Sequence, residues 1–96
     1  MSDTAAAPAS VEVPITNRRG LHARASAKFV TIASGYGDTI VEVEKDGATV
    51  VGTSIMGLMM LGAAMGDSIT IKATGPEAVD SLGKLVGLVE DKFGEE

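Results

Sequence analysis

Val11, Val13 and Ile15 alternate with Glu12 and Pro14, a period of two that predicts a half-buried strand over residues 11–15. The proline assigns that strand to a sheet edge, because it has no N–H to give a ladder. Residues 1–10, MSDTAAAPAS, carry no such period and read as a flexible tail ahead of one domain over residues 11–96. After a loop to Leu21, Ala25, Phe29 and Ile32 fall on one helical face and Gly35 offers a stop. Val41 and Val43 then alternate against Glu42 and Glu44, and Asp46-Gly47 predicts a two-residue hairpin turn into Ala48–Val51. Ser54 can cap a short helix over residues 55–61, and Ile69, Ile71 and Ala73 alternate in a fourth strand, Ser68–Thr74. From Gly75-Pro76 a last helix begins, with Val79, Leu82, Val86, Val89 and Phe93 spaced by three and four, weakened by Gly83 and Gly87. The order is βαββαβα, an α+β chain whose three amphipathic helices find burial most economically on one face of an antiparallel sheet.

Composition narrows the function classes. A 96-residue chain buries only about 60–65 % of its unfolded surface, which limits it to two thin layers. With no cysteine and one histidine it has no disulfide framework and too few ligands for a zinc site, so neither a metal nor a cofactor is expected. A net charge of −5 and three aromatic residues argue against nucleic acid. The apolar run at residues 55–65 is too short to span a bilayer, which needs about 20 residues, and the acidic start with no apolar core is no signal peptide. A cytoplasmic setting is therefore expected. Charge is also uneven: residues 13–37 hold Arg18, Arg19, Arg24 and Lys28 and no acid, a local positive field in an acidic chain. Such a field suits an anionic ligand or an acidic protein face.

Two segments invite a chemical reading. Residues 47–54, GATVVGTS, have the glycine spacing of a phosphate-binding loop, but Thr53 stands where the lysine must be and the interior reads as strand. Residues 20–26, GLHARAS, put the sole histidine, His22, in the first turn of a helix with Arg24 two residues on. Unsatisfied backbone N–H groups at a helix start point at whatever the imidazole binds. A neutral imidazole is a competent nucleophile near pH 7, and Arg24 with the helix end can stabilise a transferred phosphoryl group. From spacing alone, an ordinary capping or core histidine reads the same way.

The segment GLHARAS, together with GTSIMGLMMLGAAMGDSITIKATG at residues 52–75, resembles the histidine-containing phosphocarrier (HPr) family of the bacterial phosphoenolpyruvate-dependent phosphotransferase system. The resemblance runs over residues 11–89. It implies an open-faced two-layer sandwich with sheet order 1-4-2-3 and three helices on one face. It implies that His22 accepts a phosphoryl group on Nδ1 from enzyme I and passes it to IIA proteins or domains, as a stoichiometric carrier and not an enzyme. Arg24 is similar to the family's active-site arginine, and the backbone N–H groups of Ala23 and Arg24 would hold the phosphate. Ala25 departs from the pattern, standing where most members have proline; alanine is a good helix former, so the first turn is expected to survive.

Ser54 aligns by the same resemblance with the serine that a kinase/phosphorylase modifies in many members, although a plain N-cap explains it equally. Residues 55–61, IMGLMML, are apolar on every helical face, more than a two-layer domain can bury. With Leu58 and Leu61 inward, Ile55, Met56, Met59 and Met60 face outward, and the resemblance makes them the docking surface for enzyme I and IIA. HARAS and SIMGLMML look toward the nitrogen-type branch. A monomer is expected. Rival readings are a small acyl-phosphate or phosphate-ester hydrolase, with Asn17 placing water, and a non-catalytic ligand-binding regulator.

Overall fold

The computed structural model describes residues 9–95. Strands β1 (Ala9–Pro14), β2 (Ile40–Lys45), β3 (Ala48–Val51) and β4 (Ser68–Thr74) form one antiparallel sheet in the order β1-β4-β2-β3. Pro14 therefore lies on an edge strand. Ala9 and Ser10 belong to β1 and not to a tail; residues 1–8 of that expected tail lie outside the described residues.

Register sorts the side chains. Val11, Ile71, Val43 and Val50 stand in one row across the sheet, on the face that carries the helices. The neighbouring row, Glu12, Thr70, Glu44 and Thr49, faces the other way. A one-residue slip of any strand would exchange these sets, so the buried valines and isoleucines fix the pairing. The β2–β3 turn holds Asp46 and Gly47 at φ 52° and 85°, the doubly left-handed geometry that matches strand twist. On the open face Lys72 bonds Glu44 at 2.6 Å.

Helices α1 (Ala23–Ala33), α2 (Ile55–Met60) and α3 (Ala78–Glu90) cover the other face. The core joins Val13, Ile15, Val41, Val43, Ile69 and Ile71 of the sheet side to Ala25 and Phe29 of α1, Leu58 of α2, and Leu82, Leu85 and Val89 of α3. Ile32 is only half-buried; Ser26 and Ala33 fill the α1 stripe instead.

The α3 stripe departs from the expected one. Val79 is 80 % exposed, whereas Leu85 is fully buried. At 100° per residue the buried set Ser81, Leu82, Leu85 and Val89 centres between Leu82 and Leu85, with half-buried Ala78 beside it, and Val79 lies roughly 90° round from it. Phe93 is buried, but not as part of α3: that helix ends at Glu90, and in the short 3-10 turn Lys92–Gly94 that follows, Lys92 and Phe93 both adopt left-handed backbone, φ 58° and 57°. Two such non-glycine residues cost roughly 1–2 kcal/mol each. Complete burial of the phenyl ring, at about 1.5–3 kcal/mol, offsets much of that and folds the chain end back under α1.

Candidate functional site

His22 is the N-cap of α1. Its backbone is extended, φ −75° and ψ −179°, and its Nδ1 accepts the N–H of Arg24 at 3.2 Å. The imidazole thus takes the part usually played by a serine or aspartate oxygen, satisfying a backbone donor the helix itself leaves free. The ring is half-buried, with 18 % of its side chain exposed. Ala23, at the first helical position, and Arg24 are exposed beside it, and the Arg24 N–H assigned to phosphate is the one that His22 Nδ1 accepts. Ala25 is fully buried at the third helical position, and the helix starts at Ala23 without a proline.

The loop before His22 is fixed from both sides. Gly20 has φ +64°, and a Cβ there would lie 2.3 Å from the Ala63 carbonyl oxygen, so the loop passes directly against the segment after α2. The N–H of Leu21 donates to that same oxygen at 3.0 Å, and Ile15 and Gly66 are tied together through Ile15 N–H to Asp67 and Gly66 N–H to Ile15. These bonds set the end of α2 beside the start of α1, which brings the apolar helix to the histidine's side of the molecule.

The other ring nitrogen has a partner that sequence reading missed. His22 Nε2 pairs with the Glu95 carboxylate, and Asn17 Nδ2 holds the same carboxylate at 3.2 Å while bonding the Gly20 carbonyl at 2.9 Å. The bond from His22 holds the Glu95 carboxyl below its usual range, with help from the Asn17 amide and the charges of His22 and Arg19, against partial desolvation. Asn17 is 1 % exposed: its Nδ2 is committed to these two acceptors, and its Oδ1 is buried without a partner, so neither end of the amide faces the open side of the site where the hydrolase reading needs water. No local pattern could pair residues 22 and 95; the available signal was only the acidic chain end following the buried Phe93.

The positive groups remain available. Arg18, Arg19 and Arg24 are exposed and make no ion pair among the described residues. Lys28 instead donates to the Phe93 carbonyl at 2.7 Å. No cluster of three metal-liganding side chains occurs among the described residues, and no helix there is long and apolar enough to cross a membrane.

On α2, Ser54 Oγ accepts the Gly57 N–H at 2.9 Å, a working N-cap. Leu58 is fully buried and Leu61 half-buried, while Ile55, Met56, Met59 and Met60 are 39, 70, 41 and 79 % exposed. The helix therefore turns one leucine inward and leaves four large apolar side chains outside. Residues 47–54 form a turn, strand β3 and a second turn, with no phosphate cradle.

Comparison with known proteins gives this geometry its context. Residues 9–91 match the family model for the PTS HPr component phosphorylation site. The chain is 43 % identical to phosphocarrier protein HPr of Neisseria meningitidis over 83 residues, covering 86 % of this chain and 92 % of that protein. It is 40 % identical to phosphocarrier protein NPr of Shewanella violacea over 86 residues, covering 88 % and 91 %. Among solved structures, HPr from Thermoanaerobacter tengcongensis superposes with a TM-score of 0.87 at 42 % identity, covering 92 % of this chain and 98 % of that one.

Proposed function

The chain belongs to the HPr family of phosphocarriers of the phosphotransferase system, and from that premise we propose that His22 is its phosphoryl acceptor, charged by enzyme I and discharged onto IIA proteins or domains. The observation that carries the assignment is the state of Nδ1. As the acceptor of the Arg24 N–H it bears a lone pair and no proton, so the attacking atom is already a nucleophile at the end of a helix. When phosphorus occupies that position, the N–H groups of Ala23 and Arg24 are free to turn to phosphoryl oxygens, and the helix N-terminus favours the added negative charge. The Arg24 guanidinium, exposed and unpaired among the described residues, serves the charge that develops on the moving group.

The four exposed side chains Ile55, Met56, Met59 and Met60 supply the docking surface. Methionines repack against different partners, which suits a carrier that must meet both a donor and several acceptors. Acidic partner faces would be steered by Arg18, Arg19 and Arg24. Ser54 is the position at which a kinase/phosphorylase would act: its half-buried hydroxyl caps α2, and a phosphate there gains the helix's positive end while adding about −1.5 to −2 charges to the docking face. The carrier works in the cytoplasm as a monomer and turns nothing over by itself.

A quench assay with labelled phosphoenolpyruvate tests this reading. A carrier takes up one phosphoryl group per chain, releases little free phosphate and gives up its label when a IIA protein is added. Continuous phosphate release would identify a hydrolase, and no uptake would leave only a ligand-binding role.

A further inference from the structure

We infer that Glu95 is a positioning residue for the phosphoryl acceptor, a carboxylate carried in on the folded-back chain end that fixes the tautomer and plane of His22. The inference deepens the phosphocarrier reading and rests on it. Three independent contacts build the device. Phe93 is wholly buried, and Lys28 clamps its carbonyl at 2.7 Å, so the last residues are anchored immediately before Glu95. Asn17, itself 1 % exposed and tied to the Gly20 carbonyl, holds one carboxylate oxygen at 3.2 Å. The other oxygen pairs with His22 Nε2.

The two ring nitrogens agree on one protonation state. A carboxylate can only accept, so Nε2 must carry a proton, and the Arg24 N–H can only donate, so Nδ1 must not. Carboxylate, imidazole and attacking lone pair then stand in line, the arrangement by which a buried acid orients a histidine in other catalytic sites. In transfer, the Nδ1 lone pair forms the N–P bond as the bond from phosphorus to the donor breaks and its electron pair leaves with the donor. The Nε2 proton stays on the ring, so the positive charge gained by the imidazole faces Glu95. The left-handed backbone of Lys92 and Phe93 is explained by the same role, because a helical continuation of α3 would carry residue 95 away from the turn that seats it against His22.

The test uses the full chain in two measurements. Nitrogen-15 spectra of the imidazole, taken without any partner at a pH where the ring is neutral, read the tautomer directly. Glu95→Ala should raise the Nδ1–H fraction several-fold with the backbone spectrum otherwise preserved, and Glu95→Asp should return part of the original ratio. Rapid-quench phosphorylation by enzyme I should then be slower in Glu95→Ala, on the order of tenfold, the scale on which orienting partners of histidine act. An unchanged tautomer ratio overturns the inference, and so does an unchanged rate. A slower rate with an unchanged ratio also overturns it, since Glu95 would then be acting on docking. Failure of the wild-type chain to take phosphate on His22 would defeat the carrier reading instead, while the tautomer ratio would still decide the role of Glu95.

Discussion

At the scale of single residues, two glycines predict opposite outcomes for the same substitution. Gly20 is left-handed, and its missing Cβ is the space occupied by the Ala63 carbonyl oxygen, a backbone atom that cannot step aside. Gly20→Ala should therefore cost at least about 2 kcal/mol, from left-handed strain and displacement of the loop that holds His22. Gly83 lies within α3, and a Cβ there meets nothing within 4 Å. Gly83→Ala should stabilise by about 0.5–1 kcal/mol through helix propensity alone. Melting curves of the two variants decide both. Arg24 makes a different prediction, because its exposed guanidinium is assigned to the moving charge and not to the fold. Arg24→Ala should leave the melting temperature in place and slow phosphoryl transfer by about 100-fold, with a smaller change in enzyme I affinity, measured by single-turnover kinetics beside calorimetric titration.

At the scale of elements, the proposed docking role makes α2 the segment on which folding and docking should come apart. Its only fully buried side chain is Leu58, so Met59→Glu should change stability by no more than about 0.5 kcal/mol and yet weaken enzyme I binding by putting a charge into an apolar contact. Ser54→Asp keeps an oxygen acceptor for Gly57 N–H and adds a charge at the positive helix end, so stability should hold or rise slightly. It too should weaken binding, by repelling an acidic face, and added salt should restore Ser54→Asp more than Met59→Glu. Titrations at two ionic strengths separate these causes, and unfolding of Met59→Glu would make the side chain core. The periodicities that foretold α2 and the four strands worked because each answers to a local rule of pleat, cap or turn. They failed in α3 for a definable reason. Val79 and Leu85 are both apolar and both at plausible spacings from Leu82, and only the direction in which the helix meets β1 and β4 decides which is buried; that direction is a property of the packed layers. Gly83 removes a side chain where Val11, Val79, Leu82 and Val86 line a groove, which leaves Val11 of the edge strand 38 % exposed despite its inward register.

At the scale of the whole molecule, the site joins chain positions that no window of sequence connects. His22, Ala23, Arg24 and Ser54 were legible because each lies inside a motif or a cap. Glu95 was not, because its approach to His22 depends on Phe93 choosing burial over continuation of α3, and on Asn17 turning its amide inward. This closure has a pH dependence of determined sign. The carboxyl of Glu95 is held below its ordinary value, chiefly by the bond to His22, so it binds protons less readily folded than unfolded. Its contribution to stability is complete above the ordinary glutamate value, about 4.3, and is lost as pH falls through the lower folded value. The gap in melting temperature between wild type and Glu95→Gln should accordingly be constant at neutral pH and close on acidification below that range. Central to the whole is the acceptor itself, and the most direct test is intact mass after incubation with phosphoenolpyruvate and enzyme I, before and after acid treatment. A carrier that uses His22 gains the mass of one phosphoryl group, loses it in acid because phosphohistidine is labile, and gains nothing as a folded His22→Ala variant. An acid-stable adduct on the wild type, or an acid-labile one on His22→Ala, would contradict the assignment.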